Sequence, residues 1–84
     1  KDFKGELQEK TQKRFRALPR YSVVREEGPP HSKSFAVQVN FGSKTLGTGV
    51  GPSKKEAEQA AAREALDQFD TLLANDEPPS PPER

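Results

Sequence analysis

Residues 34–41, SFAVQVNF, alternate large apolar side chains with small or polar ones and lead directly into Gly42-Ser43. Side chains of a β-strand point alternately to the two faces of a sheet, so this pattern predicts a strand with one apolar face. A two-residue connection of this kind predicts a tight hairpin to a following strand. The chain must therefore build an antiparallel sheet whose apolar face needs a second layer to cover it.

The Gly-Ser turn also predicts a register for the hairpin. In that register one face of the sheet collects nearly every large side chain. The opposite face receives Thr45, Gly47 and Gly49 and is expected to lie in water. The predicted pairs are Phe41 with Lys44, Val39 with Leu46, Val37 with Thr48, and Phe35 with Val50.

The N-terminal segment from Asp2 to Leu18 has a helical pattern. Apolar or small residues recur at every fourth position, which places them along one stripe of a helix. Asp2 is the predicted N-cap, and Pro19 is expected to end the helix because the residue before a proline is pushed out of the helical region. The stripe consists of Phe3, Leu7, Thr11 and Phe15.

A second helix is predicted from Ser53 to about Leu73. Ser53 and Glu56 have the S-x-x-E spacing of a capping box. The apolar side of this helix is mostly alanine, which indicates a close approach to the sheet and to the first helix. That side carries Ala57, Ala61, Ala65, Phe69 and Leu72.

One further strand lies between the first helix and the hairpin. Residues 21–27, YSVVREE, are rich in β-formers, and residues 28–32, GPPHS, form a loop. The predicted order is α-β-β-β-α, an α+β fold in which both helices cover the apolar face of a three-stranded antiparallel sheet. The domain is predicted over residues 1–74. Residues 75–84, NDEPPSPPER, are predicted to be a disordered tail because they offer almost nothing to bury.

Composition excludes several classes of function. The chain has no cysteine and a single histidine, His31, so disulfide frameworks and thiolate or His-rich metal sites are excluded. No apolar run approaches the roughly 20 residues of a membrane span. Neither a Walker loop nor a dinucleotide-binding loop occurs, and we predict no catalytic residue and no small-molecule substrate. Because the chain begins at Lys1 and not at methionine, we interpret it as a piece of a longer protein.

Two lysines occupy an unexpected position at the start of the second helix. Lys54 and Lys55 follow Ser53, at the helix end that already carries a partial positive charge. An anion bound there would meet free backbone N–H groups, the helix dipole and two ammonium groups. The two lysines could instead be simply solvated, but they are unfavourably placed for stability alone. The pattern therefore favours a phosphate site.

Two other exposed segments are candidates for binding. The solvent side of the first helix carries Gln8, Glu9, Gln12 and Lys13, with Thr11 at its border. Gln8 and Gln12 lie one turn apart, and their amides suit hydroxyls and base edges. His31 can extend from the proline-stiffened loop of residues 28–33. Taken alone, the first segment is interpreted more simply as a solvated helix face, and the second as an ordinary strand connection.

Together these blocks, and the spacing between them, resemble the double-stranded RNA-binding domain over residues 2–73. The segments DFKGELQEKTQKRF and SKKEAEQAAAREAL are more narrowly similar to the C-terminal domain of bacterial ribonuclease III. The resemblance rests on Leu7-Gln8-Glu9, Pro19-x-Tyr21, Gly28-Pro29-Pro30-His31 with Phe35 following, Gly47, Gly49 and Gly51, and Ser53-Lys54-Lys55-x-Ala57 with Ala60-Ala61 and Ala65-Leu66.

The resemblance implies recognition of RNA duplexes by shape, across two minor grooves and the major groove between them. It implies minor-groove contacts to 2′-hydroxyls and base edges, and phosphate contacts with little sequence preference. Many relatives carry a third basic residue near the position of Glu58, and Arg63 lies one turn too far along to replace it, so a third phosphate contact stays open. The implied residues are Gln8, Thr11 and Gln12 for one minor groove, Pro30 and His31 for the next, and Ser53, Lys54 and Lys55 for the phosphates.

The resemblance also implies a longer ribonuclease III that cleaves double-stranded RNA with magnesium in a separate nuclease domain. That protein is expected to dimerise through the nuclease domain and to process RNA, including ribosomal RNA, in the cytoplasm. The present chain is expected to be a monomer that binds RNA and does not cut it. It is expected to need no cofactor and to have no membrane partner. Three alternatives stay open: the same fold used for protein–protein interaction, a non-nuclease RNA-binding protein, and a nuclease in its own right.

Overall fold

A computed structural model describes residues 1–73. The predicted tail, residues 75–84, lies outside the described residues. The elements follow one another as helix, three strands and helix, which confirms the predicted α+β fold. Their bounds are α1 Phe3–Phe15, β1 Arg20–Glu27, β2 Ser34–Phe41, β3 Lys44–Gly51 and α2 Lys54–Leu72.

The three strands form one antiparallel sheet in the order β1-β2-β3. Both helices contribute to the core that covers one face of this sheet, and the largest fully buried side chains come from α1, β2 and β3. Alanines supply most of the contribution of α2. The fully buried core residues are Leu7, Val37, Val39, Leu46, Ala57, Ala61, Ala62 and Ala65.

The predicted hairpin register holds only next to the turn. Phe41 pairs with Lys44 as predicted, but the register then shifts between Val39 and Asn40. Val39 pairs with Gly47 and not with Leu46, so Leu46 becomes the extra residue of a β-bulge. The remaining predicted pairs are wrong for the same reason. The observed pairs are Gln38 with Thr48, Val37 with Gly49, Ala36 with Val50, and Phe35 with Gly51.

The shift also exchanges the two faces of β3 beyond the bulge. Gly47 and Gly49 were expected in water, but both are buried against α2. Val50 was expected on the apolar face, but it is 64% exposed. Because side chains alternate along a strand, a slip of one residue moves each of them to the opposite face.

Helix α2 lies so close to β3 that no side chain fits between their backbones. A Cβ atom on Gly49 would lie 2.2 Å from the backbone nitrogen of Ala61 and 2.5 Å from the carbonyl oxygen of Ala57. A Cβ atom on Gly47 would lie 2.5 Å from the carbonyl oxygen of Ala61. The close approach predicted from the alanines is therefore confirmed, and the glycines of β3 are its counterpart on the sheet.

Both helices have the N-cap that the sequence predicted, but α1 ends earlier than predicted. The Asp2 side chain accepts a hydrogen bond from the backbone N–H of Gly5 at 3.0 Å, as expected of an N-cap. Helix α1 ends at Phe15, before the predicted Leu18, because Arg16 adopts a left-handed conformation with φ of 58°. The Arg16 backbone N–H donates to the Gln12 carbonyl at 2.9 Å and closes the last turn.

The two helices run side by side in the same direction. Near the start of α1, the backbone N–H of Phe3 donates to the Gln59 side-chain oxygen at 2.7 Å. Near its end, the Arg14 guanidinium donates to the Leu73 carbonyl at 2.6 Å. Since Gln59 lies beyond the first turn of α2, that first turn projects past the start of α1.

We expect Gly49→Ala to destabilise the domain by about 3 kcal/mol, because the new methyl group would overlap the backbone of α2 and force the helix off the sheet. Urea unfolding of the two proteins measures the difference. Val50→Ala on the same strand is the matched control and should change the free energy of unfolding by only about 0.5 kcal/mol, since its side chain is exposed. Equal losses in the two variants would contradict the proposed contact.

Candidate nucleic-acid interface

The first turn of α2 presents two lysines to solvent. Lys54 and Lys55 are the first two helical residues, and both are exposed. Ser53 caps the helix as predicted, because its hydroxyl oxygen accepts from the backbone N–H of Glu56 at 3.1 Å. The positive end of the helix dipole and the two ammonium groups thus lie together at an accessible surface.

The β1–β2 loop lies at the same end of the sheet as this turn. Strand β2 begins there beside the end of β3, where Phe35 pairs with Gly51. Within the loop, the Ser32 N–H donates to the Pro29 carbonyl at 2.9 Å, so Pro30 and His31 are the central residues of a β-turn. Both are exposed, as the sequence predicted for the tip.

An ion pair joins the base of this loop to the end of β1. The Lys33 ammonium donates to a Glu26 carboxylate oxygen at 2.5 Å. This hydrogen bond is the main cause that lowers the pKa of Glu26, followed by the charge of Lys33 itself, and the charge of Lys54 lowers it further. Glu26 therefore lies within electrostatic reach of both the loop and the first turn of α2.

The polar face of α1 forms a third surface. Gln8 and Gln12 are exposed and line an open concavity of about 650 Å³. Glu9 and Lys13, which the sequence places on the same exposed side, also line it, although they were not among the predicted binding residues. Arg16, at the left-handed cap of α1, lines it as well. The further lining residues are Gly5, Glu9, Lys13 and Arg16.

Thr11 does not belong to this surface. Its side chain is fully buried, and its hydroxyl donates to the Gln8 carbonyl at 3.1 Å. The reason is the fourfold spacing from Leu7, which turns Thr11 toward the core and away from the border of the polar face. The prediction that Thr11 contacts a ligand is therefore corrected.

Position 58 of α2 carries a carboxylate that is already paired. The Lys4 ammonium donates to Glu58 at 2.5 Å and lies 4.8 Å from the centre of the Tyr21 ring. Burial raises the pKa of Tyr21 to about 12, and the charges of Glu58 and Asp2 add to this effect. Arg63, further along α2, has its guanidinium 5.6 Å from the centre of the Phe3 ring.

The family model described as "Double-stranded RNA binding motif" matches residues 3–69 of the chain. The chain belongs to this family. Among its curated relatives, Ribonuclease 3 of Syntrophotalea carbinolica is 45% identical over 69 residues, which cover 82% of this chain and 30% of that protein. Ribonuclease 3 of Geobacter metallireducens is 49% identical over 69 residues, with 82% and 28% covered. The chain thus spans less than a third of the length of these relatives.

Solved structures support the same double-stranded RNA-binding motif fold. A structure of Dicer from Pichia stipitis superimposes with a TM-score of 0.66 at 35% sequence identity, covering 79% of this chain and 32% of that one. A solution structure of both double-stranded RNA-binding domains of DRB4 with their linker gives a TM-score of 0.63 at 34% identity, covering 82% and 44%.

Within the part of the chain that spans residues 1–73, no group of three carboxylate or histidine side chains is arranged to hold a metal ion. Neither of its helices has the length and apolar character needed to cross a bilayer. Of the predicted site residues, the structure brings Pro30, His31 and the 53–55 segment to one end of the sheet, with Gln8 and Gln12 on the neighbouring helix.

We expect Lys33→Gln to raise the pKa of Glu26 toward its ordinary value, because the hydrogen bond from Lys33 is the main cause of the low pKa. Titration of the carboxyl group by carbon NMR measures this. Lys54→Gln is the matched control and should raise the pKa less, since Lys54 contributes only its charge. Because the folded pKa is lowered, the contribution of this pair to stability is present above the unfolded pKa and is lost as pH falls through the folded one. An unchanged Glu26 pKa in Lys33→Gln would contradict the assignment.

Proposed function

We propose that the chain binds double-stranded RNA by shape, through 2′-hydroxyl and phosphate contacts and with little dependence on sequence. One observation carries the proposal. Two exposed lysines at the N-terminus of α2 share one end of the sheet with the β1–β2 loop, next to a polar helix face, in a member of the double-stranded RNA binding motif family. An A-form duplex offers phosphates and 2′-hydroxyls across successive grooves.

The phosphate contacts in this proposal belong to the first turn of α2. The ammonium groups of Lys54 and Lys55 and the free N–H groups behind Ser53 would meet phosphates on both sides of the major groove. Because phosphates are alike at every step, these contacts confer affinity without sequence preference. Binding should weaken steeply with salt as neutralised phosphates release counterions.

In this proposal, the polar face of α1 and the β1–β2 loop discriminate RNA from DNA. The amides of Gln8 and Gln12 can both donate to and accept from 2′-hydroxyls and base edges in a minor groove. The turn that presents Pro30 and His31 would enter the next minor groove. It is suited to this by its stiffness, since Pro30 restricts the backbone and Gly28, with φ of 95°, permits the sharp entry to the turn.

A protein-interaction role is the second candidate. The outer face of the sheet is less polar than the sequence predicted, because the corrected register leaves Val50 64% exposed there. If this face binds a protein partner, replacing Lys54 and Lys55 should leave that binding intact. The same substitutions should weaken RNA binding strongly, so the two roles are separable.

For the longer protein, we propose a ribonuclease III that cleaves double-stranded RNA in a separate magnesium-dependent nuclease domain. The identity of 45% and 49% to proteins named Ribonuclease 3 supports this. We further propose that it dimerises through that domain and acts on RNA, including ribosomal RNA, in the cytoplasm. The magnesium ions would be held outside residues 1–73, which lack a suitable group of ligands. The present chain, incubated with magnesium and labelled duplex, should release no short products.

We expect the chain to bind an RNA duplex of roughly 16 base pairs more tightly than a DNA duplex of equal length. Replacing both Lys54 and Lys55 with alanine should weaken RNA binding on the order of 30-fold to 100-fold at 0.1 M salt and reduce the salt slope by about two, as expected for two phosphate contacts. Titrations followed by fluorescence anisotropy at several salt concentrations measure both quantities.

Replacing Gln8 and Gln12 with alanine should act differently in the same titrations. It should reduce the preference for RNA over DNA and leave the salt slope unchanged, because amides neutralise no phosphate.

For the lysine variants, Lys44→Gln, at the opposite end of the sheet from the β1–β2 loop, is the control for loss of one positive charge. Equal affinity of the unmodified chain for RNA and DNA duplexes would contradict the proposal.

A further inference from the structure

Lys4 lies between the two helical surfaces of the proposed interface. It belongs to the first turn of α1, one turn before Gln8, so the two residues follow one another along the same side of that helix. Its ammonium group nevertheless contacts α2, through the bond to Glu58 across 54 residues of chain. Lys4 is thus carried by one helix and held by the other.

Glu58 lies on the lysine-bearing side of α2. It follows Lys54 by four residues and Lys55 by three, which are the two spacings that bring side chains together on a helix surface. A basic residue at position 58 would therefore present its charge one turn beyond the two lysines. This chain has a carboxylate at that point, but the carboxylate holds the Lys4 ammonium 2.5 Å away. The Lys4 ammonium group thus places a positive charge beside the negative charge of the Glu58 carboxylate.

Two contacts hold the Lys4 ammonium group in place, but the side chain remains partly exposed to solvent. The Tyr21 ring lies 4.8 Å from the nitrogen on one side, in the range of a cation–π contact, and Glu58 accepts one of its three N–H groups. The side chain of Lys4 is still 38% exposed. Donor capacity therefore remains for a ligand that arrives from solvent.

We propose that Lys4 is a third phosphate-binding cation of the interface, supplied by α1 in place of a basic side chain at position 58, with Glu58 and Tyr21 as its positioning residues. The inference rests on the proposed binding of double-stranded RNA. It predicts that the phosphate-binding surface continues from the first turn of α2 across to α1. Lys4 would then join the phosphate contacts of α2 to the minor-groove contacts that begin at Gln8.

The test is the double variant Lys4→Gln with Glu58→Gln, which leaves the net charge of the chain unchanged. If Lys4 contacts a phosphate, this variant should bind a roughly 16-base-pair RNA duplex about fivefold to tenfold more weakly than the unmodified chain at 0.1 M salt, with a salt slope lower by about one. If Lys4 serves only to neutralise Glu58, affinity and slope will both equal those of the unmodified chain, and the inference is wrong.

Two single variants sharpen the comparison. Glu58→Gln keeps an acceptor beside Lys4 but removes the negative charge, so it should bind at least as tightly as the unmodified chain. Lys4→Gln should lose more affinity than Lys44→Gln, which removes an equal charge at the opposite end of the sheet. Equal losses of affinity in Glu58→Gln and Lys4→Gln, with both salt slopes unchanged from that of the unmodified chain, would mean that the pair is only structural. Circular dichroism melting shows that each variant is folded at the temperature of the titration.

A measurement on the unmodified chain covers the case in which the double variant does not fold. Amine-reactive labelling in the presence of the RNA duplex should protect Lys4 together with Lys54 and Lys55, and leave Lys44 reactive. Protection of Lys54 and Lys55 without Lys4 overturns this inference and leaves the proposed function intact. Absence of any RNA binding by the unmodified chain overturns the proposed function itself.

Discussion

The backbone contact between α2 and β3 is the constraint on which the rest of the domain depends. The helix meets the strand where alanine faces glycine, and a Cβ atom on Gly49 would lie 2.2 Å from the nitrogen of Ala61. Contact this close fixes the height and the register of α2 on the sheet. It also fixes the helix N-terminus, so the positions of Lys54 and Lys55 beside the β1–β2 loop follow from packing in the core.

The elements of this fold were predictable because their signals are local. Asp2 and Ser53 cap their helices as expected, and strand β2 has the predicted bounds, because hydrogen-bonding side chains and strict alternation act within a few residues. The bulge at Leu46 was not predicted, since the turn indicates a register only for its neighbours. The alternate glycines 47, 49 and 51, set against an alanine helix, were the available signal that this side of β3 is buried.

The candidate site was likewise predictable only where its signals are local. The segments were found from local chemistry: a lysine pair behind a capping serine, a proline turn and a pair of glutamines. Thr11 was wrongly assigned to the binding face although its spacing from Leu7 placed it on the apolar stripe, because its hydroxyl satisfies itself within the helix by donating to the Gln8 carbonyl. The pairing of Lys4 with Glu58 spans 54 residues and depends on how α1 lies against α2, so no local pattern could reveal it.

The central claim is that three separate segments contact one RNA duplex at the same time. Amide NMR spectra of the chain, recorded with increasing amounts of a roughly 16-base-pair RNA duplex, test it most directly. The account predicts shifts at residues 8–12, 29–32 and 53–55 that saturate together, with little change at the hairpin turn of residues 42–43. Shifts confined to one of these segments, or centred on the outer sheet face around Val50, would contradict it.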